Sequence, residues 1–183
     1  MASSGTMTDA FDTLGVAPTF DLDLGRVERL HRELSRALHP DRHVGKSAGE
    51  RRLVLNKAIE VNEAWRTLRD PVKRAETLFQ RHQIPVGETN EPAVDPMLLM
   101  EMMEQREALA DARRARDLPA ITQLADAMRR RDRQVLDELT AAFARLVEAD
   151  TQDTREAALR KLGELRYVAR FLEEVGEIED ELG

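Results

Sequence analysis

His39, Pro40 and Asp41 set an imidazole, a fixed backbone and a carboxylate side by side, and His43 extends them to a His-x-Asp-x-His string. Alternate residues in a loop do not supply the second pair of ligands that a tetrahedral metal site needs, so no metal is expected there. The chain has no cysteine, which excludes disulfides, thiolate metal sites, a thiolate-held cluster and a cysteine nucleophile. No Ser/His/Asp set, glycine-rich phosphate loop or paired-carboxylate pocket can be assembled, so neither catalytic residues nor a cofactor are expected. What remains is recognition chemistry. Pro40 fixes the backbone, Asp41 can make a charge-assisted bond to a cation on a partner, and His39 adds a hydrogen-bonding ring.

The elements on either side decide how that tripeptide is presented. From Asp21 to Leu38, Val27, Leu30, Leu34 and Leu38 recur at helical spacing, with Arg26, Arg29, Arg32 and Arg36 over the remaining surface. The helix should stop at His39-Pro40, because proline disfavours helical geometry in the residue before it. His39 to Gly49 should be an exposed loop. In the helix that follows, Val54, Ala58, Val61, Trp65 and Leu68 form a seam suited to antiparallel packing on the first. Asp70-Pro71 caps a short helix to about His82. Upstream, Phe11 to Gly15 is one or two turns whose Phe11 and Leu14 close the small core. The four arginines serve equally as a solvated face or a docking face.

Gln83 to Asp95, with Pro85, Gly87, Asn90 and Pro92, lacks periodicity and reads as a connector. Asp95-Pro96 opens a helix to about Arg116. Leu118 to Ala149 forms a second, with Ile121, Leu124, Met128, Val135, Leu139, Phe143 and Leu146 near one side. A last helix carries Ala158, Leu162, Leu165, Val168, Leu172 and Val175, and Gly163 and Gly176 should let it bend or fray, each costing about 1 kcal/mol relative to alanine. Short connections make these three an antiparallel bundle. The expected organisation is a disordered lead at 1–8, with Met7 an alternative start after Met1 to Thr6, a first domain at 9–82, a linker at 83–95 and the bundle at 96–183.

Composition agrees with an all-α fold: 4% aromatic and 34% charged residues, with Ala, Leu, Arg and Glu dominating over β-branched types. Residues 1–82 carry 14 basic and 12 acidic side chains and all four histidines, against 14 and 23 for 83–183. This asymmetry suggests different partners for the two halves, and the net charge of −7 argues against a general nucleic-acid binder. Arg129-Arg130-Arg131-Asp132-Arg133 is a basic run, but on a long helix it is expected to be a solvated face. No apolar run approaches the length of a membrane span and the start lacks a signal-peptide pattern, so a cytoplasmic protein with no membrane partner is expected.

The tripeptide between a basic helix and an antiparallel partner, with Asn62-Glu63-Ala64-Trp65-Arg66-Thr67-Leu68 and Asp70-Pro71 beyond, resembles the J domain. That resemblance implies contact with an ATP-hydrolysing heat-shock chaperone, whose ATPase would be stimulated through His39, Pro40 and Asp41 and met by Arg26, Arg29, Arg32 and Arg36. Two further segments, Asp70-Pro71-Val72-Lys73-Arg74-Ala75-Glu76-Thr77-Leu78 and Met97-Leu98-Leu99-Met100-Glu101-Met102-Met103-Glu104-Gln105-Arg106-Glu107-Ala108-Leu109, together with Glu164-Leu165-Arg166-Tyr167, resemble the HscB family, the co-chaperones of iron–sulfur cluster assembly. The likeness runs from about Phe11 to Leu182. Trp65, Tyr167 and Gln105 depart mildly from the family pattern, and the zinc-binding cysteine pairs of some eukaryotic members are absent, as in the bacterial form.

The resemblance implies an L-shaped pairing of a J domain with a client-binding three-helix bundle. It also implies an HscA/DnaK-type ATPase chaperone and an IscU-type scaffold protein as partners, the latter met by Leu99, Met100, Met103, Glu104, Glu107, Asp111 and Tyr167. A J-domain co-chaperone for a different client is the alternative. A methionine stripe at helical spacing would ordinarily be core. Six apolar residues among the seven from Met97 to Met103, however, exceed one core-facing stripe, so some must face outward. Steps of three and four place Met100, Met103, Glu104 and Glu107 on one face, and methionine adapts well to a partner surface.

Overall fold

The computed structural model describes residues 8–86 and 95–183. The described residues form helices and a single 3₁₀ turn, with no strand. The chain divides into two compact units at Ile84–Pro85. Most of the expected lead (1–7) and most of the expected linker (87–94) lie outside the described residues.

In the first unit, Asp9 and Asp12 form a capping box on α1 (Ala10–Leu14), and Gly15 ends it in the left-handed region at φ 66°, a conformation that costs glycine little. Asp23 caps α2 (Leu24–Ala37). Then α3 (Ala48–Arg69) begins earlier than the glycine at 49 suggested. Ser47 and Glu50 satisfy each other's backbone donors in a capping box, which draws Ala48 and Gly49 into the first turn. Asp70 terminates α3 and also caps α4 (Pro71–Arg81). Phe11, Leu14, Val27, Val61, Leu68 and Phe79 are buried together with Phe20 and Leu78. The seam on α3 is buried at Val61 and Leu68 and half-buried at Val54, Ala58 and Trp65. Ala64, which the spacing had not included, is buried too.

The second unit consists of α5 (Pro96–Ala115), α6 (Leu118–Glu148) and α7 (Gln152–Leu182). Asp95 and Asp117 cap α5 and α6 ahead of a proline in the first turn, and Arg116, at φ 54°, turns the chain between them. Ion pairs fix the directions. Arg106 and Arg113 of α5 meet Glu174 and Glu181 of α7, rising together, so these helices run the same way. Arg131 and Glu138 of α6 meet Glu164 and Lys161 of α7 in descending order, so α6 runs against α7. One core cluster joins Leu109 and Ala112 with Ile121, Ala125, Met128, Val168, Phe171, Val175 and Ile178. The expected fraying of α7 is not seen: the helix continues through Gly163 and Gly176 to Leu182. Burial of Phe171, Val175 and Ile178 around Gly176 outweighs its propensity cost.

Candidate docking surfaces

The first surface is the turn after α2. His39 caps a 3₁₀ turn (Pro40–His43), and its Nδ1 accepts a hydrogen bond from the Asp41 backbone N–H at 3.3 Å. The Asp41 carboxylate lies 3.5 Å from that nitrogen, yet its side chain is 87% exposed. The hydrogen bond to the imidazole fixes the Asp41 backbone, and the exposed carboxylate is open to a partner. His43 ties the turn back: its Nε2 donates to the Ala37 carbonyl at 2.9 Å, in the last turn of α2. That bond uses Nε2 alone and leaves the His43 Nδ1 buried without a hydrogen-bond partner, and no cluster of three or more metal-binding side chains occurs among the described residues.

Arg26, Arg29, Arg32 and Arg36 are all exposed. At about 100° per residue, Arg29, Arg32 and Arg36 fall within an arc of about 60° opposite the buried Val27, whereas Arg26 lies to one side. Arg32 is engaged by Glu28, one turn earlier. A contact the sequence reading missed orients this stripe. The His31 ring stacks on Trp65, centroids 5.5 Å apart and planes within 16°, while Nε2 lies 2.9 Å from Asn62 Oδ1 and 3.3 Å from Ser35 Oγ. Asn62 and Trp65, three apart on α3, therefore grip α2 on the side away from the arginines. That spacing was visible, but its partner on another helix was not.

The second surface is the outer face of α5. Met102, Leu109 and Ala112 are buried against the bundle. Opposite them, Met100 is 62% exposed and Met103 65%, with Leu99 at 49% on the flank. Glu104, Glu107 and Asp111 are exposed on the same side. Asp111 is engaged by Arg114, while Glu104 and Glu107 form no ion pair among the described residues.

Tyr167 does something other than face outward with them. It is half-buried, its hydroxyl donates to the Met102 carbonyl at 2.9 Å, and its ring lies 6.1 Å from that of Phe171. Burial raises its pKa, so the hydroxyl stays protonated and able to donate. The side chain fixes the height of α5 against α7 and thereby supports the exposed methionines. The basic run on α6 is partly neutralised, Arg129 by Asp126 and Arg131 by the buried Glu164.

Comparison with known proteins assigns each unit. The family model described as DnaJ domain matches residues 9–77, and the one described as HSCB C-terminal oligomerisation domain matches residues 94–176. A co-chaperone protein HscB homolog of Shewanella oneidensis is 34% identical over 172 residues, 94% of this chain and 97% of the relative. The chain belongs to the HscB family of co-chaperones. An HscB homolog of Ralstonia nicotianae is 40% identical over 114 residues, 62% of this chain and 65% of that relative. The solved HscB chaperone of Vibrio cholerae has a TM-score of 0.79 at 29% identity, covering 96% of this chain and 99% of that one. As an HscB family member, the chain is a J-domain co-chaperone and not an enzyme. The tripeptide lies within the residues matched as DnaJ domain, and the exposed α5 face within those matched as HSCB C-terminal oligomerisation domain.

Proposed function

We propose that this chain stimulates ATP hydrolysis by an HscA/DnaK-type chaperone and delivers an IscU-type scaffold protein to it, in cytoplasmic iron–sulfur cluster assembly. The observation that carries this reading is the pair of open surfaces, one in each unit: an exposed carboxylate on a capped turn after a basic helix, and an apolar, acidic helix face. Asp41 would bond a cation of the ATPase, with Arg29, Arg32 and Arg36 steering the approach onto an acidic surface. Arg26, off the stripe, would contribute less. On α5, Leu99, Met100 and Met103 would supply apolar contact and Glu104, Glu107 and Asp111 the charged rim. Tyr167 would act through the position of α5.

In a single-turnover ATPase assay with an HscA-type chaperone and scaffold present, Asp41→Asn is expected to abolish stimulation. Stimulation equal to that of the parent would show that the turn has another role. Titration with purified scaffold separates the clients: Met103→Ala and Glu104→Ala should each weaken binding, and unchanged binding would point to a different client.

A further inference from the structure

A cleft of about 750 Å³ opens beside the first turns of α5, between Met97, Leu98, Met100, Glu101 and Glu104 on that helix and Arg160 and Lys161 on α7. Its two deeper cations are already engaged, Lys161 by Glu138 and Glu164 and Arg131 by Glu164, while the half-exposed Arg160 lies at a looser 3.7 Å from Glu156, one turn earlier on its own helix. Its α5 carboxylates are not. Glu101 accepts one long bond, 3.4 Å, from the Gln105 amide, and neither Glu101 nor Glu104 forms an ion pair among the described residues. An anion would meet these two carboxylates. The favourable end of the α5 dipole, confined to its first turn, is already capped by Asp95, whose carboxylate accepts from the Met97 N–H at 2.8 Å. The free chemistry of the cleft is thus two carboxylates above an apolar wall. It matches a long side chain with an aliphatic stem and a cationic head.

We propose that this cleft receives a lysine or arginine side chain of the docked partner, its stem along Met97, Leu98 and Met100 and its head between Glu101 and Glu104. The inference rests on the docking role proposed for α5 and extends it, because Met100 and Glu104 belong to both the outer face and the cleft. Glu101 and Met97 become specificity residues.

The test is calorimetric titration of the full chain with purified IscU-type scaffold at several salt concentrations. Glu101→Gln and Met97→Ala are each expected to weaken binding threefold to tenfold, and Glu101→Lys by more than tenfold. Glu101→Gln should also flatten the salt dependence. Glu173→Gln, exposed elsewhere on α7, should bind as the parent does. In double-mutant cycles, one scaffold lysine or arginine should couple to Glu101 while the others add independently. Parent-like binding by Glu101→Gln and Glu101→Lys, with Met103→Ala still impaired, would overturn the cleft and leave the outer face standing. Parent-like binding by Met103→Ala and Glu107→Ala would overturn the docking role itself, and the cleft with it.

Discussion

Arg74 carries a charge into a site only 7% exposed, where its Nη1 donates to the Leu68 carbonyl at 2.7 Å and its guanidinium lies 4.8 Å from the centre of the Phe20 ring. Burial lowers its pKa, and nearby Asp70 and Asp21 act in the opposite direction. The side chain ties the end of α3 to the start of α4 and satisfies a carbonyl that the helix end leaves without an internal partner. Arg74→Ala removes a charged hydrogen bond and the packing of the stem. It is expected to lower stability by about 2–3 kcal/mol in denaturant unfolding; a loss within 0.5 kcal/mol, the range of an ordinary surface change, would refute the structural role. Asp41 is the opposite case. Being exposed, its replacement by Asn should leave the melting curve in place while removing ATPase stimulation.

Between elements, the contacts that matter join residues far apart in sequence. The α6–α7 contact includes Lys161 bound by Glu138 and by Glu164, itself only 3% exposed. The hydrogen bond from Lys161 holds the Glu138 carboxyl below its ordinary pKa, against a smaller opposing effect of burial. A carboxyl lowered on folding adds stability above its unfolded pKa, and that stability is lost as pH falls through the folded value. Acid is therefore expected to weaken the second unit from about pH 4.5 downward, near the ordinary glutamate range. Glu138→Gln should flatten this pH dependence in urea unfolding series, and identical slopes would argue that other carboxylates dominate. At the start of α3, Ser47→Ala breaks the capping box and should cost about 1 kcal/mol, read by thermal melting. Tyr167→Phe keeps the ring but frees the Met102 carbonyl. Scaffold affinity should fall while Met100 and Met103 themselves are unchanged; equal affinity would assign Tyr167 a purely packing role.

At the level of the whole molecule, the two surfaces lie in different compact units of opposite charge balance. Separable losses are expected. Met103→Ala with Glu107→Ala should impair scaffold binding and leave scaffold-independent ATPase stimulation intact, and Asp41→Asn should do the reverse. Each is measured by pairing a binding titration with an ATPase assay on the same variant. Loss of both activities in either variant would mean that the units do not act independently.

Local patterns in the sequence determined the all-α class, the starts of α4 and α5 through their Asp-Pro caps, the placement of the tripeptide after a basic helix, and the excess of apolar residues at the start of α5. Those signals act within a few residues, so a linear reading reaches them. The tertiary structure alone decided which of them face a neighbour. It turned Tyr167 inward, buried Arg74 and Glu164, and brought His31 onto Trp65. In each case the outcome depends on a segment outside the residue's own helix, and helical periodicity sets the angular relation of residues without stating which side a neighbour will cover.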